Sequence, residues 1–145
     1  MMKVIKMKTD GTAEATGAIM HKVVNKYYLD MAPYASLSLQ GIFDKIKSLP
    51  YREDPEKTET LMRPRFTMLM QGSGGDCDCK AIALAAYAKL QGLPCHFVAI
   101  RRPGRTVFHH VAVEILVGGH WLFADPTYSY NLLGVGRDEA ERKIM

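Results

Sequence analysis

The sequence predicts an α+β domain, and three observations carry that prediction. Two stretches in the first half repeat their apolar residues at helical spacing, an uncharged alanine-rich run follows a glycine-rich turn, and the last third breaks into short apolar runs separated by Pro-Gly and Gly-Gly. Helices therefore come first, then one buried helix, then an antiparallel meander. At 145 residues the chain is long enough for one core and too short for two.

The opening dozen residues are polar and lysine-rich, and read as a short strand or a frayed end. From Gly17 to about Leu29, Ile19, Val23, Val24, Tyr27 and Tyr28 form an apolar stripe, with His21, Lys22, Asn25 and Lys26 on the wet side. Pro33 is expected to end this helix. A second helix starts near Ser36 or Ser38, either able to cap it, and repeats at Leu39, Ile42, Phe43 and Ile46 before Pro50 closes it. The segment 51–60 is highly charged, contains Pro55 and reads as an exposed connection, and Pro64 is expected to keep the next segment irregular. The run from Ala81 to Ala88 carries no charge and is bounded by Lys80 and Lys89, which reads as a buried helix rather than a strand. Gly92 and Pro94 stop it. Strands are expected over Cys95–Ile100, Val107–Val117 and His120–Ala124, with turns at Pro103-Gly104 and Gly118-Gly119.

Composition excludes several classes. Hydrophobic residues at 48% and charged residues at 23% are ordinary for a globular domain and argue against disorder. A net charge of +4 comes from scattered basic residues, not from a dense patch, so no nucleic-acid partner is expected. No apolar run reaches membrane-spanning length and the N-terminus has no apolar signal region, so a cytoplasmic protein without a membrane partner is expected, with association to a virion left open. Three cysteines are an odd count, which disfavours a disulfide framework.

Those cysteines need a local explanation. Cys77 follows Gly74-Gly75-Asp76 at the entrance to the buried helix. Unpaired N–H groups and the helix dipole there favour a thiolate, the nucleophilic form of cysteine. A small buried cysteine is the alternative, and the charged flanks Asp76 and Asp78 weigh against it. A cysteine nucleophile needs a base, and the base needs an orienting group. His109 and His110 open a strand; alternation sends them to opposite faces without deciding which one serves, and either could be a hydrogen-bonded strand-end histidine. Asp125 ends the following strand before Pro126, where it is either the orienting group or a turn former.

Together, Gly75-Asp76-Cys77, His110-Val111-Ala112-Val113-Glu114 and Asp125-Pro126-Thr127 resemble the transglutaminase-like superfamily, within the wider papain-like cysteine enzymes. The resemblance covers roughly residues 70–128, with the three motifs in the family's order. It implies Cys77 as nucleophile, His110 as general base and then acid, and Asp125 as the group that orients His110. It also implies acyl transfer from a peptide or protein amide through a thioester, with hydrolysis favoured slightly over transglutamination because small microbial members resemble peptidases. No cofactor and no metal are expected. Gln71, six positions before Cys77, is a candidate oxyanion donor by analogy with papain-like proteases, although the backbone N–H of Cys77 is better founded. Bacterial and phage relatives often read Asp-Cys-Asp-Asp at this turn, so Cys79 is a departure, read as an inert substitution ahead of a metal ligand or a resolving thiol, that bears on substrate handling and not on the triad. Two other readings compete: a non-catalytic structural or assembly protein that keeps the fold, and a zinc module built from Cys77, Cys79, Cys95 and His96.

Overall fold

The computed structural model describes residues 4–6, 13–51, 60–69, 75–136, 139 and 141–145. Helix α1 (Ala13–Tyr27) buries Gly17, Met20, Val23 and Val24, one stripe at steps of three and four. It begins four residues ahead of Gly17, which is a packing glycine inside the helix: a Cβ there would lie 2.5 Å from Cβ of Met145. After Tyr27 the chain tightens into a 3₁₀ helix, Tyr28–Tyr34, which runs through Pro33 instead of stopping before it. Pro33 is exposed there, so its missing N–H leaves no buried carbonyl unpaired. Ser38 is the cap of α2 (Leu39–Lys47), its hydroxyl accepting from the Gly41 N–H at 3.0 Å, and Ile42, Phe43 and Ile46 are buried.

The first strand, β1 (Val4–Lys6), pairs antiparallel with β2 (Thr60–Met62), a strand without a sequence signal of its own. Most of the charged connection, residues 52–59, lies outside the described residues. Pro64 does not keep its segment irregular: it opens a short helix, α3 (Pro64–Leu69), at the first helical position, where a missing N–H costs nothing.

Helix α4 (Cys77–Leu90) is the centre of the molecule. Every residue from Asp78 to Ala88 is buried, because α4 touches α1, α2, α3 and the 3₁₀ helix as well as the sheet. Alanines at 81, 83, 85, 86 and 88 let these neighbours approach on all sides. Past its end, Gly92 takes a φ of +74° and the Leu93 N–H reaches Ala88 O at 2.8 Å.

The sheet contains β3 (Cys95–Arg101), β4 (His110–Val117), β5 (His120–Ala124) and β6 (Glu141–Ile144), all antiparallel in the order β5-β4-β3-β6. The meander matches the expected strands, except that β4 starts at His110 and not at Val107. The strand β6 was not expected: its residues are exposed and the first three are charged, and pairing with the free edge of β3 makes it a strand. Phe97, Val111, Val113, Ile115 and Ala124 face α4, while Val98, Ile100, Ala112 and Phe123 form a smaller cluster on the opposite face. An α+β architecture of helices and a buried helix on an antiparallel sheet is what the sequence predicts.

Candidate active site

The start of α4 is built by Asp76. Its carboxylate accepts from the Cys79 N–H at 3.1 Å and caps the helix. Gly75 precedes it because nothing larger fits: a Cβ would meet Cβ of Cys79 at 2.4 Å and its sulfur at 3.0 Å. The Gly75 N–H donates to Pro50 O at 3.2 Å, which ties the turn to the end of α2. Cys77 is thus the first helical residue and is half-buried, while Cys79 is 1% exposed and packed inside.

Cys77 meets the sheet at its end. The last pair between β4 and β5 is Val113 with Ala124, so Val111 has no partner in β5. Its backbone N–H hydrogen-bonds to the Cys77 sulfur. The thiol itself donates to Asp78 Oδ1 at 3.6 Å. Burial pushes the Cys77 thiol well up, Asp78, Asp76 and Asp125 push it further, and the Val111 N–H opposes them. Burial and the carboxylates thus oppose the thiolate that the helix terminus favours.

The two histidines separate. His110 is 6% exposed, and its Nε2 donates to Asp125 Oδ2 at 2.7 Å. His109 is half-buried and turned to its own loop, a ring nitrogen 3.4 Å from Val107 O. Asp125 is 3% exposed; burial raises its carboxyl, but the His110 and Thr127 hydrogen bonds hold it below the ordinary value. An ionised carboxylate only accepts, so Nε2 of His110 carries the proton in this bond. Asp125 Oδ1 accepts from the Thr127 N–H at 3.1 Å, and the Asn131 side chain donates to Asp125 O at 3.0 Å. Tyr128 lies nearly parallel to the His110 ring, with centroids 6.2 Å apart, and Tyr130 stacks on Tyr128 at 5.3 Å. Beside them opens a cleft of about 300 Å³, lined in part by Tyr51, Lys80, Tyr128 and Tyr130.

Gln71 lies outside the described residues. The four residues of the zinc alternative do not converge: the Cys95 thiol donates to Ala85 O at 3.8 Å, and His96 Nε2 sits 2.8 Å from Glu114 Oε1 with its ring against Trp121. Among the described residues no group of three or more His, Cys, Asp or Glu could hold a metal ion, and no helix is long and apolar enough to cross a membrane. Sequence reasoning missed Lys80, which it treats as the border of an apolar run; the structure buries it completely. A lysine next to a run with no wet face was the available signal.

No curated protein matches the chain. The transglutaminase-like superfamily matches it from residue 4 to residue 126, a span that contains β1, every described helix, the strand that opens with His110, and Asp125 just past the end of β5. The chain belongs to the transglutaminase-like superfamily.

Proposed function

We propose that this protein is a cysteine-dependent amide acyl-transfer enzyme with Cys77 as nucleophile, His110 as base and acid, and Asp125 as the orienting carboxylate. The superfamily is typified by cysteine-based acyl transfer and proteolysis. The observation that carries the reading is the buried 2.7 Å bond from His110 to Asp125, made by the residue next to the N–H that contacts the Cys77 sulfur. That bond orients the ring with its proton on Nε2, so that in the neutral imidazole Nδ1 is the nitrogen that accepts.

The surroundings that raise the thiol favour general-base catalysis by His110 over a preformed thiolate. Nδ1 takes the Sγ proton as sulfur attacks the amide carbonyl carbon, and the Cys77 N–H stabilises the oxyanion. Collapse breaks the C–N bond, His110 returns the proton to the departing amine, and a thioester remains on Cys77. Water, deprotonated by His110, then attacks the thioester carbon; the C–S bond breaks, His110 returns the proton to the Cys77 sulfur and a carboxylic acid leaves, whereas an amine in its place would give a new amide. Hydrolysis is the favoured second half-reaction.

Intact-mass analysis after treatment with iodoacetamide tests this reading. One adduct should form on Cys77, vanish in Cys77→Ala and persist in Cys79→Ala. His110→Ala should slow labelling about 100-fold, within the usual range for a lost proton acceptor. Labelling of Cys77 at the wild-type rate in His110→Ala would sink the assignment and leave a non-catalytic protein that retains the fold. Incubation in ¹⁸O water with and without a primary amine separates hydrolysis from transamidation.

A further inference from the structure

Lys80 is 1% exposed, one turn of α4 beyond Cys77. Its ammonium donates to Leu49 O at 2.7 Å, to Thr127 O at 2.9 Å and to Lys47 O at 3.5 Å. These bonds use all three of its protons. Two of the acceptors are at the C-terminal end of α2, where the helix dipole favours a cation, and the third lies two residues beyond Asp125. One side chain thus ties the end of α2 to the turn that carries Asp125. Burying a cation is costly, and burial lowers the Lys80 pKa to about 8 against the attraction of Asp125.

The bonds continue to the imidazole. The Thr127 carbonyl accepts from Lys80, the Thr127 N–H donates to Asp125 Oδ1, and Asp125 Oδ2 accepts from His110. A second strut runs in parallel: Lys47 Nζ donates to Asn131 O at 3.0 Å, and the Asn131 side chain holds Asp125 O. Only the first strut ends on the carboxylate itself.

We propose that Lys80 is a positioning residue for the site, its buried ammonium holding the Asp125–Thr127 turn in the orientation that presents Asp125 to His110. The proposal rests on the triad reading above. It assigns Lys80 no contact with substrate, because its protons are already committed to carbonyls.

A double-mutant cycle tests it, with the rate of Cys77 labelling by iodoacetamide at pH 7 as the readout. Lys80→Met should slow labelling about tenfold, the scale of a misplaced catalytic group. Asp125→Asn should slow it at least as much, and adding Lys80→Met to Asp125→Asn should slow it no further, since Lys80 acts through that carboxylate. The proton on His110 Nε2 should also shift its ¹H resonance in Lys80→Met. A wild-type rate in Lys80→Met overturns the proposal; so does an equal further loss on the Asp125→Asn background, which marks general destabilisation. If Lys80→Met does not fold, Lys80→Gln, whose two amide protons cannot serve all three carbonyls, carries the same cycle with a smaller slowing, and a wild-type rate there also overturns the proposal. A wild-type rate in Asp125→Asn itself would instead sink the triad reading.

Discussion

At the scale of single residues, the electrostatics around Cys77 runs against its helix terminus. Asp78 accepts the thiol proton and, after burial, is the largest influence that raises the thiol. Removing that charge favours the thiolate. Asp78→Asn should therefore lower the pH at which iodoacetamide labelling of Cys77 reaches half its maximum, and speed labelling several-fold at pH 7. An unchanged midpoint would mean that Asp78 does not govern this thiol. Gly75 is a residue-scale constraint of another kind. Its close approach to Cys79 Cβ explains why a glycine precedes the Asp-Cys turn whatever the role of the Cys79 sulfur, because any residue but glycine at position 79 brings the same Cβ.

Among elements, α4 has no solvent face to absorb a larger side chain. Ala83 and Ala86 are fully buried between helices and sheet. Ala83→Leu should destabilise by about 1–3 kcal/mol through overpacking, lowering the melting temperature by roughly 2–4 °C per kcal/mol. A melting temperature within a degree of wild type would show slack in the packing. A second inter-element link joins the 3₁₀ helix to the start of α3: Arg63 grips Asp30 with two bonds of 2.6 and 2.8 Å, and the Arg65 N–H adds a third at 3.1 Å. Burial raises the Asp30 carboxyl, but the arginine bonds outweigh it and hold it below the ordinary carboxylate value. A carboxyl depressed in the folded state contributes stability that is complete above the unfolded value and lost as pH falls through the folded one. Acid unfolding should thus steepen below about pH 4. Asp30→Asn should flatten that arm while lowering stability at neutral pH, as urea titrations at several pH values would show.

For the whole molecule, the last residues close the structure against its first helix. The Met145 N–H donates to Phe97 O at 3.0 Å, its Cβ abuts Gly17, and Lys143 pairs with Glu14. Gly17→Ala improves helix propensity by about 1 kcal/mol, yet its methyl would collide with Met145. The collision should dominate: hydrogen exchange should accelerate at Arg142–Met145 while the α4 amides stay protected. Protection equal to wild type would mean that the chain end shifts aside freely. Folding should not depend on metal either. Elemental analysis should find no stoichiometric zinc, and a chelator should leave the melting curve unchanged; one zinc per chain would revive the cysteine-ligand reading.

Local chemistry was enough to read the helices of the first half, the buried α4, the meander and the three motifs. Apolar periodicity, a Ser cap at Ser38 and Gly turns are local signals, and Gly75-Asp76-Cys77 carries its own cap and its own close approach. Pairings between distant segments were not legible. The strands β2 and β6 exist only because β1 and the edge of β3 offer them partners, and Pro64 starts a helix instead of preventing one. At the site, the histidine assignment came from the motif resemblance, while the bond to Asp125 depends on how β4 and β5 end beside one another. The surroundings that raise the thiol and the burial of Lys80 were decided by tertiary structure alone. A pKa and a buried cation depend on what surrounds them in space, and carboxylates and carbonyls from α2, α4 and the turn after β5 meet only when the chain has folded.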